Sequence, residues 1–123
     1  MRLFVASSYL NRKVAQDVQR LLVTVGHSIT FDWTQPEDLS VPGASTEKAL
    51  ADARGVVLAE AVVVVWPGRL GTATEIGIAI GCGIPIYILG KPNRPSIYWN
   101  HPLVTIVNSR AELLYYLGER HEN

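Results

Sequence analysis

The 123 residues include one cysteine, Cys82, one methionine and two phenylalanines. A lone cysteine excludes an internal disulfide, and its place in the apolar run 76–88 leads us to expect a buried, inert thiol. The three histidines, His27, His101 and His121, are scattered, the last in a tail expected to fray. No segment has metal-ligand spacing, so neither a metal nor another cofactor is expected. Charge of one sign is also lacking, because eleven basic residues balance eleven acidic ones. No net field draws the chain to a nucleic-acid backbone or an anionic membrane, and neither is expected as a partner. The longest uninterrupted apolar run, residues 61–66, is far too short to span a bilayer. The chain opens directly into a strand-like segment, without the apolar region of a signal peptide, so none is expected. A reducing cytoplasm fits these absences.

What is present is a hydrophobic fraction of 48% against 18% charged, the balance of a well-packed globular protein. We expect one domain over residues 1–123, large enough to bury roughly two-thirds of its unfolded surface. Residues 3–6 form a short apolar run before the polar pair Ser7 and Ser8, as a buried strand entering a loop would. Val14, Val18, Leu21, Leu22 and Val25 recur at helical spacing, and Gly26 supplies the stop. Residues 28–33 alternate and predict a second strand. Residues 34–44, with two prolines and a glycine, predict a loop. Ser45 is placed to cap a helix running to about Asp52. The run 61–66, AVVVVW, is the clearest strand, apolar throughout as a central parallel strand must be. A tight loop at 67–71, a helix from Thr72 to about Cys82 and a strand at 84–89 follow. A long loop at 90–102, a strand at 103–107 and a helix opened by the Ser109 and Glu112 capping box complete the chain. Strands alternating with helices predict an α/β fold: a three-layer, doubly wound, five-stranded parallel sheet of the flavodoxin or Rossmann type, in the order 2-1-3-4-5. Such sheets bind ligands beyond the carboxyl ends of strands 1 and 3, here at residues 7–9 and 67–75.

The second of these ends is rich in chemistry. Gly68 and Gly71 allow a sharp turn and a close backbone approach to a ligand. The amides that open the next helix favour negative charge. Glu75 is expected in the first helical turn, where the dipole helps keep it ionised. An ionised carboxylate there suits a sugar oxocarbenium-like transition state, as nucleophile or counter-charge. The same spacing, Thr72 to Glu75, equally fits a capping box in which Glu75 only satisfies a backbone amide.

The run Glu60-Ala61-Val62-Val63-Val64-Val65, then Leu70-Gly71 and Glu75-Ile76-Gly77 with Ala79, resembles the nucleoside 2-deoxyribosyltransferase family, which includes the 2'-deoxynucleoside 5'-monophosphate N-hydrolases. Phe4-Val5-Ala6-Ser7-Ser8 and the stretch from Ser28 to Thr34 look like its small members, so the resemblance covers nearly the whole chain. It implies that Glu75 is the nucleophile, forming a covalent glycosyl-enzyme, and that Asp52 assists at the leaving base and sugar. It matches Ser8 to a loop serine contacting sugar or 5'-phosphate, and Asn100 to a polar residue donated by a neighbouring subunit. Without the resemblance, Asp52 reads as a solvated helix-end carboxylate and Ser8 as a turn residue.

Three positions depart from the family pattern. Phe4 replaces a tyrosine that orients the nucleophile, so either Tyr9 substitutes or the activity is weak. Glu60 replaces the strand aspartate. Arg69 replaces the transferases' base-reading aspartate and the hydrolases' phosphate-binding serine, leaving Asp32 or Asp38 to read the base. The run Pro67-Gly68-Arg69-Leu70-Gly71-Thr72, with Glu75, is also similar to the signature of the cytokinin-activating phosphoribohydrolases, with Arg69 in place of its second glycine.

The resemblance therefore implies a retaining enzyme that cleaves the N-glycosidic bond of a nucleoside and passes the sugar to another base. Alternatives are a 5'-monophosphate N-hydrolase, a phosphoribohydrolase, or a nucleotide-sensing module without turnover, for which Phe4 argues. The expected catalytic residues are Glu75 and Asp52. Ser7, Ser8, Tyr9, Gly68, Arg69, Gly71 and Asn100 are expected to bind a nucleoside or nucleotide. Tyr98 and Trp99 in the loop 90–102 lead us to expect a homodimer or higher even oligomer with that loop at the interface. A loop folded over its own sheet is the alternative.

Overall fold

The computed structural model describes residues 1–36 and 38–119, so His121 lies outside the described residues. Five strands, β1 (Arg2–Ala6), β2 (Ser28–Ile29), β3 (Ala61–Val65), β4 (Ile86–Leu89) and β5 (Val104–Val107), form one sheet in the order β2-β1-β3-β4-β5. Every neighbouring pair is parallel. Helices α1 (Arg12–Thr24), α2 (Ala44–Val57), α3 (Leu70–Gly81) and α4 (Arg110–Glu119) connect or follow the strands. This is the expected doubly wound fold. Between β4 and β5 there is only a 3-10 turn, Ile97–Asn100, where a crossover helix would otherwise cover the sheet.

β3 is buried along its whole length, as its unbroken valines require for a strand covered on both faces. Phe4, Val62 and Ile86 lie in one row of the register and share a face. That face receives α2, whose Gly55 has no room for a side chain: a Cβ there would lie 2.8 Å from Phe31 Cβ and 3.1 Å from the Phe4 ring. Tyr87 points the other way and meets Tyr116 of α4, with ring centroids 5.9 Å apart. Right-handed crossovers set α1 on that second face as well. On α1 the buried positions are Ala15, Val18, Gln19 and Leu22. Val14 and Val25, at the margins of the expected apolar face, are exposed.

Several boundaries differ from the expected ones. β2 stops at Ile29, well short of Trp33. Asp32 captures the Thr34 amide and hydroxyl and folds the chain into a turn. The Trp33 indole then donates to the Val5 carbonyl, an acceptor that a longer β2 would have satisfied. α2 starts at Ala44 behind Gly43, which has φ +84°, so Ser45 lies inside the first turn and caps nothing. The helix also runs past Asp52 to Val57, because the single Gly55 does not break it. β4 and β5 start two residues and one residue later than expected, at Ile86 and Val104. Cys82 is exposed rather than buried, at the C-cap just past the end of α3 at Gly81. Gly26, at φ +102°, ends α1 as expected, and Ser109 accepts the Glu112 amide at 3.1 Å to open α4. Among the described residues, no helix is long and apolar enough to cross a membrane.

Candidate active site

The carboxyl ends of β1 and β3 are tied directly together. The Ser8 amide donates to the Pro67 carbonyl at 3.1 Å, and the Ser7 hydroxyl donates to the Val65 carbonyl at 2.7 Å. Asn11 donates in turn to the Ser7 oxygen at 3.0 Å. Ser7 is therefore occupied in closing the loop, whereas Ser8 is buried beside it and its hydroxyl does not cap the 3-10 turn that follows. Tyr9 is half exposed, with the Arg12 guanidinium 4.6 Å from its ring centre.

α3 begins at Leu70, with Arg69 in extended conformation just before it and no side-chain cap. Glu75 therefore lies in the second turn, not the first, and the alternative capping-box role fails because the helix starts two residues before Thr72. Gly68 is needed for packing: a Cβ there would meet the Thr72 side chain at 2.6 Å. Gly71 faces open space, so sterics do not demand glycine there.

Glu75 is 7% exposed and is hydrogen-bonded to Asp52, which α2 brings across to α3. Burial first, then the hydrogen bond and the negative charge of Asp52, push the Glu75 carboxyl up to about 10. The expected ionised state is thus reversed in the free protein. The amides at the start of α3 are too far along the helix to offset desolvation beside a second carboxyl. Two carboxyls held around one proton form an acid–base couple, able to give that proton to one group while presenting an anion to another.

The structure brings Glu75 and Asp52 together and sets Ser7, Ser8 and Gly68 at adjoining strand ends. Arg69 is exposed and lines a different wall. Asn100 is exposed at the end of its 3-10 turn and lines neither of the two cavities that flank this region. Asp32 is committed to its own turn. Burial opposes its ionisation, but hydrogen bonds from Thr34 and Gln35 outweigh this and leave its carboxyl below the usual range. Asp38 is exposed, and hydrogen bonds from Ser40 lower it. Phe4, fully buried under Gly55, offers no hydroxyl to orient a nucleophile.

Two cavities flank this region. One of about 330 Å³ lies beside the first turns of α2, lined by Phe31, Asp32, Trp33, Gln35, Lys48 and Ala51 among others. Lys48 and Asp52 are one helical turn apart, which puts them on one face. Sequence reasoning missed Lys48, Gln35 and Gly55, although the spacing from Lys48 to Asp52 and on to Gly55 was a readable signal. The other cavity, a groove of about 1190 Å³, runs along the opposite flank of α3 and is not lined by Glu75. Among the described residues no cluster of three or more His, Cys, Asp or Glu is placed to hold a metal ion.

No family model and no curated protein matches the chain. Solved structures do. The CMP N-glycosidase BcmB of Clostridium botulinum superimposes with a TM-score of 0.63 at 20% identity, over 95% of this chain and 98% of that one. A 2-deoxyribosyltransferase of Bacillus psychrosaccharolyticus gives 0.69 at 15% identity, over 92% and 90%. A conserved protein of Enterococcus faecalis gives 0.64 at 19% identity, over 98% of both chains. The chain thus has the fold of a 2-deoxyribosyltransferase and a CMP N-glycosidase, the fold of the family its sequence resembles.

Proposed function

We propose that the protein, acting as one domain over residues 1–123, cleaves the N-glycosidic bond of a nucleoside and transfers the sugar to another base. The observation that carries this reading is the carboxyl–carboxyl hydrogen bond between Glu75 and Asp52, with Glu75 buried where α2 and α3 meet above the sheet. The single proton passes from Glu75 through Asp52 to the departing base nitrogen as the C1'–N bond breaks, and the bonding pair leaves with the base. Glu75 is thereby left anionic as positive charge develops at C1'. A Glu75 oxygen then bonds to C1', giving a covalent glycosyl-enzyme. An incoming base displaces Glu75 from C1', its surplus proton returning to the carboxyl pair. Two displacements at one carbon retain its configuration.

Replacing the acceptor base by water makes the same machinery a 5'-monophosphate N-hydrolase. Likeness of fold to a CMP N-glycosidase over nearly all of that chain supports this second reading. In it, Ser8 and Arg69 contact the phosphate. The 3-10 turn carrying Asn100 meets a second copy in an even homo-oligomer, for which the 80% exposure of Ile97 beside it speaks.

The deciding experiment compares deoxynucleosides with their 5'-monophosphates, each with and without a second free base. Base exchange on nucleosides, unchanged in Arg69→Ala, supports the transferase. Hydrolysis restricted to monophosphates and lost in Arg69→Ala supports the hydrolase. Binding without any product identifies a sensing module.

A further inference from the structure

The contact between Asp52 and Glu75 requires α2 to lie at one height and one rotation against the sheet. A contact outside the pair fixes both. α2 packs down on β1 at Gly55, where a Cβ would lie 3.1 Å from the Phe4 ring. Asp52 lies three residues before Gly55, so it shares that face of the helix. The last carbonyls of a helix have no helical amides to accept from. At this end the Leu58 amide serves Arg54 at 2.9 Å, and the Ala59 amide serves Val56 at 3.1 Å. The Gly55 carbonyl between them, on a buried residue, accepts from the Thr30 hydroxyl at 2.7 Å.

Thr30 is itself anchored by its backbone. It follows β2 directly, and its amide donates to the Leu3 carbonyl of β1 at 2.9 Å. The hydroxyl lies 3.4 Å from that same Leu3 oxygen, so its shorter contact is with Gly55. Thr30 therefore ties the last turn of α2 to β1, the strand whose Phe4 ring Gly55 covers. The missing side chain lets α2 come down onto the sheet, and the Thr30 bond stops it from sliding or turning there. Capping a buried carbonyl is by itself a structural service. Its place one turn from Asp52 adds a consequence for the chemistry. We propose that Thr30 is a positioning residue for the carboxyl pair, its bond to Gly55 holding Asp52 against Glu75. This rests on the roles given above to Asp52 and Glu75. Thr30 lines neither cavity, so it acts through α2 and not on the substrate.

Thr30→Val and Thr30→Ala remove the hydroxyl, Thr30→Ser keeps it, and all three retain the amide bond to Leu3. In carbon-13 magnetic resonance, the Glu75 carboxyl signal is identified by its loss in Glu75→Gln and followed with pH. In wild type it is expected to titrate at about 10. Without the hydroxyl, Asp52 draws away and water enters. Glu75 should then bind its proton at least about tenfold more weakly, a fall of about one pH unit. Turnover should fall about tenfold or more, with KM within about threefold of wild type. Thr30→Ser should restore both. A cap without a positioning role would cost stability and leave the Glu75 titration and kcat in place. That result in either folded variant lacking the hydroxyl would overturn the proposal, as would a Thr30→Ser protein that keeps the shifted titration. The proton readout needs no turnover. A lowered midpoint in a protein that cleaves no nucleoside would uphold the positioning of the pair and sink the proposed reaction instead.

Discussion

The two flanks of α3 show opposite solutions to the placing of charge. Toward α2, Glu75 is 7% exposed and presses against Asp52, so burial and like charge raise its proton affinity. Toward segment 90–102, Arg69 and Arg94 line an open groove, and both are exposed to solvent. Water pays the solvation of the arginines, whereas the carboxyls keep a proton in place of water. The comparison teaches that one helix can hold a buried carboxyl pair on one flank and leave cations in water on the other. The packing of its neighbours decides which.

The comparison breaks most visibly if Glu75 is altered. In Glu75→Gln, turnover should fall at least about a thousandfold, the scale of losing a nucleophile, with the fold intact. Steady-state rates and circular dichroism check this together. Glu75 also has a stability signature. The folded protein binds a proton there that the unfolded chain releases above the ordinary value of 4.5, so Glu75 lowers stability as pH rises from about 4.5 toward about 10. Gln carries no such proton. The melting temperature of Glu75→Gln minus that of wild type should therefore grow as pH rises through this window. A difference independent of pH would mean that Glu75 is not held protonated.

The close approach of α2 is next in size. Gly55→Ala puts a methyl 2.8 Å from Phe31 Cβ, which should cost about 1–3 kcal/mol by denaturant unfolding and spread Asp52 from Glu75. Activity should fall along with stability. The smallest effect belongs to the groove flank. Thr72→Val removes a buried hydroxyl that has no partner, so unfolding free energy should stay level or rise by up to about 1 kcal/mol. A loss beyond that would show that the hydroxyl is satisfied in the folded protein.

Sheet order and strand positions were legible in the sequence because continuous apolar runs such as residues 61–65 leave a parallel strand little alternative. β2 was misread as longer because its alternation continues through Trp33. That residue is buried by donating its indole to Val5 rather than by pairing as a strand. Such side-chain substitution for a backbone ladder leaves no periodic trace. Glu75 and Asp52 were legible as candidates through family resemblance, but their contact was not. Helix packing brings residues 23 positions apart together, and only that contact reverses the expected ionisation of Glu75. The groove was invisible for a similar reason, since its arginines come from two separate segments.

The central claim is that Glu75 attacks the sugar carbon. Its most direct test is acid-quenched mass spectrometry of the protein during turnover of a nucleoside or nucleoside 5'-monophosphate. The account predicts an added glycosyl mass on the peptide carrying Glu75, absent in Glu75→Gln and discharged when a free base or water completes the reaction. Turnover with no adduct on Glu75, or full turnover by a folded Glu75→Gln protein, would contradict it.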